Sequence, residues 1–435
     1  MNQPANEINR TLETSEPMLY RLLSALGRRA VFPPDIPFQA GEARGTSYNG
    51  TIGILTDGHG GAVPLPSMAA VLNLSAEDRT RAFLYSPVSG MPELRQLWRA
   101  WQRRSQPESI PSSLPLVTAG LSHSLSIAAD LFSDEGRAVA VATPFWGNYP
   151  QTFAMRTGAV MHTAPGYRNG RYNTHAIAEA LEDLPPGEPA IALLNFPSNP
   201  GGYSPSVAER AELRRTLLAV ADQRPLIVIL DEAYAGYVYE EEIPFTSMYW
   251  ELAGVHEQLI AIKVDGATKE FSFFGGRVGF ITFPIDPDSP AAKVLESKVM
   301  SLMRSTVGSP VATSQVILLQ ALRSGRAAEE IERARRLAHE RYRVLKSLLA
   351  ELDPELLRPL PFNSGFFALI EVPEGLPFTA EQLRHHLIEH HDTGIVSVPP
   401  RYLRVAICSV ASEAIPEMMA RVVRGAKELA VRKAA

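Results

Sequence analysis

Between roughly residues 115 and 285 the chain repeats one unit: a short apolar run that stops abruptly on a polar or Gly/Pro-rich turn. Ala138-Val139-Ala140-Val141-Ala142 stops at Pro144, Ala190-Ile191-Ala192-Leu193-Leu194 at Asn195, and Leu226-Ile227-Val228-Ile229-Leu230 at Asp231. Leu116-Val117-Thr118 leads into Gly120 and a helix-like Ser122 to Phe132, and Leu259-Ile260-Ala261-Ile262-Lys263-Val264 runs towards Lys269. Continuous rather than alternating apolar runs, separated by helix-like stretches, predict a mostly parallel sheet buried on both faces. Ligands of such sheets bind beyond the carboxyl ends of the strands, so these turns should converge on one pocket.

Around this core the chain has 435 residues, 45% of them hydrophobic and 20% charged, enough for two or three domain-sized units. A net charge of -5 without long like-charge blocks gives no electrostatic footprint for nucleic acid. Residues 1 to 31 lack the apolar stretch of a secretory signal, and no run of 18 apolar residues occurs, so the expectation is a cytoplasmic protein without a membrane partner. The lone Cys408 cannot form an internal disulfide and reads as an apolar filler in a strand. The 35 prolines punctuate loops (Pro33-Pro34, Pro185-Pro186, Pro399-Pro400).

A helical period over Ala327 to Leu352 (Ile331, Ala334, Leu337, Ala338, Tyr342, Leu345, Leu348, Leu349) predicts a long helix linking two units. The expected division is an N-terminal segment, residues 1–74, packing with a small C-terminal α+β unit, residues 319–435, around a large unit of residues 75–318.

The chemistry is carried by the order of Asp231 (Leu230-Asp231-Glu232-Ala233-Tyr234), Lys269 (Asp265-Gly266-Ala267-Thr268-Lys269-Glu270) and Arg277 (Gly275-Gly276-Arg277-Val278-Gly279). Lysine is the common side chain that condenses with an aldehyde to a Schiff base, best where desolvation and nearby cations lower its pKa. An acid at a strand end, an arginine suited to a phosphate and glycines that admit close backbone approach are the company pyridoxal phosphate requires.

Over about residues 50 to 430 these motifs resemble, in order, the class I/II aminotransferases of fold-type I. The resemblance implies an α/β fold with a large cofactor-binding domain and a smaller α+β domain. It implies that Asp231 pairs with the pyridine nitrogen, that Tyr234 and Asn199 (Asn195-Phe196-Pro197-Ser198-Asn199-Pro200-Gly201-Gly202) bond the ring oxygen, and that Lys269 holds the cofactor and moves a proton. Arg277 would take the phosphate with backbone N–H groups of Gly120, Leu121 and Ser122; the Ser122 hydroxyl either joins them or only caps a helix. Trp146, in Pro144-Phe145-Trp146-Gly147-Asn148-Tyr149, would stack on the ring, with Phe145 as the other candidate. Tyr85 matches a tyrosine that reaches the neighbouring subunit's phosphate, which implies a homodimer. Arg404, in Tyr402-Leu403-Arg404-Val405-Ala406, matches the clamp on the substrate carboxylate, with Arg401 as a rival and Arg304 as a second cation or a plain surface charge.

The sequence also departs from the family pattern. Gly266 stands where many relatives carry a phosphate-binding serine, with Thr268 as the substitute donor; Glu270 adds a carboxylate, and Phe271, Phe273 and Phe274 are bulky. His59, with Gly60 beside it in Asp57-Gly58-His59-Gly60-Gly61, is either a group at the substrate edge or a loop histidine. His385, His386, His390 and His391 have helical spacings suited to metal, but no second ligand cluster supports one, and they read as surface residues. The leading function is amino transfer between an α-amino acid and a 2-oxo acid. The altered surroundings of Lys269 keep open a β/γ-elimination, replacement or cyclisation enzyme, conceivably acting on S-adenosylmethionine. A cofactor-sensing regulator is disfavoured because no DNA-binding extension precedes residue 50.

Overall fold

The computed structural model describes residues 9–11, 13–30, 35–70, 74–104 and 106–431; Pro33-Pro34 lie outside them. Its centre is a seven-stranded sheet of β1 (Leu116–Thr118), β2 (Ala138–Thr143), β3 (Val160–Pro165), β4 (Ala190–Asn195), β5 (Leu226–Asp231), β6 (Leu259–Gly266) and β7 (Gly279–Thr282) in the order β1-β7-β6-β5-β4-β2-β3. β3, β2, β4, β5 and β6 run parallel, and β7 is antiparallel to both its neighbours.

Successive side chains of each strand enter different cores, as the two-residue period of a strand dictates. Ala138, Ala140, Ala192, Leu194, Val228, Leu230 and Ala261 join one buried cluster with Leu213 and Leu217. Val139, Val141, Ile191, Leu193, Ile229, Ile262 and Val264 join the other with Leu121, Leu125 and Tyr149. Burial on both faces is why these strands read as unbroken apolar runs. The same alternation sends Asp231 to the second face and Lys263 and Asp265 to the first.

The small unit is an antiparallel sheet of β8 (Arg358–Pro359), β9 (Phe367–Glu371), β10 (Val396–Val398) and β11 (Tyr402–Ala406) in the order β8-β9-β11-β10. Six helices matter for the site: α1 (Pro92–Gln102), α2 (Leu121–Phe132), α3 (Ala267–Glu270), α4 (Ala327–Ala350), α5 (Ala380–His391) and α6 (Ile415–Val431). The apolar stripe of α4 that the sequence shows (Ala334, Ala338, Tyr342, Leu345, Leu349) packs into the core of the small unit. Residues Tyr48–Asn49 pair in parallel with Thr393–Gly394, and Gly50 bonds both Gly394 and Ala406. The segment before residue 51 is thereby fastened to the small unit and led along β11 towards the site. Cys408 follows β11, fully buried, its thiol pushed up to about 12 by burial, which makes it the inert filler the sequence suggests.

On the face of the sheet away from Asp231, Lys263 forms ion pairs with Glu232 and, at 3.3 Å, with Asp265. Trp98 Nε1 and Gln102 Nε2, both on α1, donate to Asp265 at 3.1 and 3.0 Å. Removing one member of a buried pair leaves its partner charged and desolvated. Lys263→Ala is therefore expected to destabilise the fold by about 3–5 kcal/mol, measured by urea unfolding; a loss under about 1 kcal/mol would place this pair among ordinary surface bridges.

Candidate active site

Asp231 closes β5 where the parallel strands end, and only 4% of its surface is exposed. Burial drives its pKa up to about 6, although the Tyr149 hydroxyl (2.8 Å), the Ala233 N–H (3.2 Å) and the charge of Lys269 all favour the carboxylate. Near neutral pH the group is ionised but poorly solvated, which is the state that welcomes a cationic partner. Asn195, at the end of the neighbouring β4, donates to the Asp231 carbonyl at 2.7 Å and fixes the strand end. Tyr149 and Asn195 were not singled out from sequence. The signal for Tyr149 was its place one helical turn after Trp146, whose ring it meets edge-on at 5.6 Å.

Lys269 follows β6 on the short helix α3. Burial lowers its pKa to about 8, with Asp231 acting to raise it and Arg277 to lower it further. Its Nζ lies 5.3 Å from the centre of the Tyr234 ring and 5.8 Å from that of Phe274. Asp231, Lys269, Tyr234, Asn199, Trp146, Thr268, Arg277, Leu121 and Ser122 together line a cavity of about 240 Å³.

One end of that cavity is built from close backbone approaches. Gly120, with φ 88°, precedes α2, and a Cβ there would come within 2.5 Å of the Arg277 guanidinium. A Cβ on Gly279 would meet the Gly120 carbonyl carbon at 2.5 Å, and one on Gly266 would meet the Val278 carbonyl oxygen at 2.6 Å. The missing serine at 266 is therefore a packing necessity, since β7 occupies the space its side chain needs. The hydroxyl of Thr268 is buried without a hydrogen-bond partner among the described residues. An orphan hydroxyl, an arginine seated on glycine and the first N–H groups of α2 facing one cavity form a receptor for a phosphate.

Towards the small unit, the cavity is continuous through Trp146, Asn199, Tyr234 and Lys269 with a larger one of about 670 Å³. There Arg404 is fully buried, with one Nη donating to Asn199 Oδ1 at 3.2 Å and the other to the Thr51 carbonyl at 2.7 Å. Its guanidinium stacks 4.1 Å over the Phe367 ring, and its Nε has no partner among the described residues. Asn199 also reaches the Tyr234 hydroxyl at 3.5 Å, so one side chain ties Arg404 to Tyr234.

Several sequence candidates stand elsewhere. His59 and Gly60 sit on an exposed turn closed by Asp57, whose carboxylate accepts from the N–H groups of residues 59 and 61 at 2.8 and 2.9 Å, and they line neither cavity. Gly53, not singled out from sequence, lines the larger cavity instead. Arg401 is engaged by Glu371 and Glu374, and Arg304 is exposed on a helix surface. Glu270 points away from Lys269 to Trp101 (3.1 Å) and Arg104 (3.3 Å), where burial raises its pKa to about 7. Phe271 packs on Trp98 and Trp101. Tyr85 is 97% exposed and lines neither cavity of its own chain. The four histidines are not all surface residues either: His386 and His391 are buried.

Comparison with known proteins agrees with this geometry. The family profile "Aminotransferase class I and II" matches residues 51–422, so the chain belongs to the class I and II aminotransferases, whose cofactor is pyridoxal phosphate. A 2-aminoadipate transaminase of Thermus thermophilus is 27% identical over 387 residues, 85% of this chain and 89% of that one. An aspartate aminotransferase of Pyrococcus abyssi is 24% identical over a stretch that spans 63% of this chain and 66% of the relative. The crystal structure of LysN, an α-aminoadipate aminotransferase of Thermus thermophilus complexed with N-(5'-phosphopyridoxyl)-L-leucine, superposes with a TM-score of 0.73 at 21% identity, covering 94% of this chain and 98% of that one. The cavity fits that cofactor: a carboxylate for its ring nitrogen, a desolvated amine, and a cationic, N–H-lined end with the unpartnered Thr268 hydroxyl for its phosphate.

Cofactor capture needs the neutral amine, which a lysine lowered to about 8 supplies far more readily than one at the ordinary 10.5. Loading of the apo-chain, followed by visible absorbance, should rise with pH through a midpoint near 8. Because the Asp231 carboxylate raises the amine's pKa, Asp231→Asn should move that midpoint down; a midpoint near 10.5 would remove the desolvation argument.

Proposed function

We propose that this chain transfers the amino group of an α-amino acid bearing a single carboxylate to a 2-oxo acid. The observation that carries the reading is the continuity of the Lys269–Asp231 cavity with the Arg404 cavity through Asn199 and Tyr234. Arg404 grips the α-carboxylate with its planar fork, which sets the α-carbon beside the Lys269 amine. Lys269, neutral near its lowered pKa, takes the α-proton at Nζ and can return it to a second carbon within reach. Asp231 would keep the ring nitrogen of pyridoxal phosphate protonated, and the cofactor, when bound, would supply an electron sink for the α-carbon. Asn199 and Tyr234 would bond the ring oxygen, Trp146 would cover the ring face, and Gly120, Leu121, Ser122, Thr268 and Arg277 would hold the phosphate.

Substrate class follows from the wall of the larger cavity. Among the described residues lining it, Arg404 is the single arginine; Ala30, Ile36, Pro37, Met155 and Phe367 are apolar, and Asn148 and Gln151 are neutral. Asp35 also lines it, with its carboxylate packed where a Cβ on Gly147 would come within 2.4 Å. A substrate with a second carboxylate would meet this acid and, apart from the reactive Lys269, no second cation among the described residues. The replacement or cyclisation reading, which rested on the residues flanking Lys269, is not favoured: Glu270 and Phe271 face α1, and Gly266 serves the packing of β7.

The active unit in this reading is a homodimer in the cytoplasm, with residues 75–318 as the cofactor-binding unit and residues 1–74 and 319–435 as the small one. Phe83, Leu84 and Tyr85 are consecutive and exposed (91%, 61% and 97%), the kind of apolar patch an interface covers. Tyr85 would then reach the phosphate of the partner subunit.

Lys269→Ala is expected to abolish turnover while leaving far-UV circular dichroism unchanged. Retained 2-oxoglutarate-dependent glutamate formation would overturn the assignment of that lysine. Across a panel of amino acids, Asp35→Asn should raise kcat/KM for dicarboxylic donors about tenfold relative to neutral ones, one charge contact of about 1.4 kcal/mol; an unchanged ratio would remove Asp35 from specificity. Light scattering should give twice the chain mass, and Tyr85→Phe should weaken cofactor binding without lowering kcat at saturating cofactor.

A further inference from the structure

Away from the active site, α5 and α6 pack against each other, and at their contact two imidazoles converge on one carboxylate oxygen. His386 Nε2 and His391 Nε2, both from α5, lie 2.8 and 3.0 Å from Glu428 Oε2 of α6. The three ligand atoms lie within 4.8 Å of one another. Both histidines are buried, at 5% and 8% exposure, whereas the Glu428 side chain is 39% exposed.

Gly425, inside α6 and one turn before Glu428, shows that this convergence is built into the packing. A Cβ there would stand 3.3 Å from His391 Cδ2 and 3.4 Å from His386 Cδ2, besides 2.9 Å from Leu387. Cδ2 is bonded to Nε2 in the imidazole ring, so both rings rest the same edge on the glycine and turn the same nitrogen towards Glu428. Glycine inside a helix costs about 1 kcal/mol relative to alanine, and here a Cβ would displace the Leu387 side chain and crowd the His391 ring.

We propose that His386, His391 and Glu428 bind a divalent zinc-class metal ion that staples α5 to α6. Two imidazole nitrogens and one carboxylate oxygen are a borderline donor set that suits Zn²⁺, whose ligands stand ~2.0–2.2 Å away. In a tetrahedral site such ligands are separated by roughly 3.3 Å, a few tenths of an ångström beyond the hydrogen bonds seen here. With the ring proton of each histidine on Nδ1, both Nε2 lone pairs are free for the ion, which takes the place of the two hydrogen bonds to Glu428, and the exposed side of the carboxylate leaves a fourth position to water. Both rings come from one helix and the carboxylate from its neighbour, so the site crosslinks two elements of the small unit. Its role is structural, separate from cofactor chemistry.

The test uses the cofactor-loaded enzyme, freed of metal with EDTA and desalted, then titrated with ZnCl₂. One zinc per chain should be retained after a second desalting, with a rise in Tm that EDTA reverses. His386→Gln and Glu428→Gln should each weaken zinc binding by more than about tenfold and abolish the Tm rise, while His385→Gln, exposed on the same helix, should bind as the parent does. Parent protein that retains no zinc, or variants that retain it as the parent does, would overturn the proposal. Because a variant could lose zinc through misfolding, its circular dichroism and transaminase activity are read beside the binding, and both are expected to match the metal-free parent.

Discussion

The architecture depends on a carboxylate placed where water cannot solvate it. Asp231 stands at the carboxyl end of a central strand, covered by the second core of the sheet, with one tyrosine and one backbone N–H for company. Those two bonds do not offset the cost of burial, so the group's pKa rests up at about 6, above the ordinary carboxylate range. Lys269 faces the converse problem and rests below its own. Each would be closer to normal in water; together in one cavity they form an acid and a base whose charges are waiting for a third, cationic ring.

The sheet also keeps two charge systems apart. Asp231 and Glu232 are adjacent in sequence, yet strand alternation sends the first to the cofactor face and lets the second pair with Lys263 on the other. Had β6 slipped by one residue, Lys263 and Asp265 would face the cofactor cavity and apolar Ile262 and Val264 would sit in the ion-pair layer. The buried network of Lys263, Glu232, Asp265, Trp98 and Gln102 therefore penalises a register shift that would also misplace Lys269. This is the setting in which buried polar groups contribute specificity more than stability.

The sheet and the cofactor end of the site were legible because their signals are local. An apolar run followed by Asp, Asn or Gly states its strand and its loop in one stretch of sequence, and Lys269, Asp231, Asn199, Tyr234 and Arg277 all sit on such strand ends or the turns after them. What sequence left open is what only three dimensions bring together. Gly53 reaches the substrate cavity because the segment before it is hydrogen-bonded along β11, whereas the more conspicuous glycine-rich turn with His59 folds back on Asp57. Nor does helical spacing alone disclose that His386 and His391 meet Glu428 of α6; that requires the position of the partner helix.

The unusual residues beside Lys269 suggested altered chemistry, and their contacts give a different explanation. Gly120, Gly266 and Gly279 come from three different chain segments; at Gly266 and Gly279 another backbone passes within 3 Å of where a side chain would be, and at Gly120 the Arg277 guanidinium takes that place. Arg277 closes the group from above Gly120 with a left-handed backbone, φ 52°. A serine at 266 would offer the phosphate a hydroxyl but would push β7 away, and Gly279 on β7 holds Gly120 at the start of α2. The two devices compete for one volume. This chain has taken the closer packing, and in the proposed reading the hydroxyl comes two residues later, from Thr268, whose buried Oγ1 has no partner among the described residues.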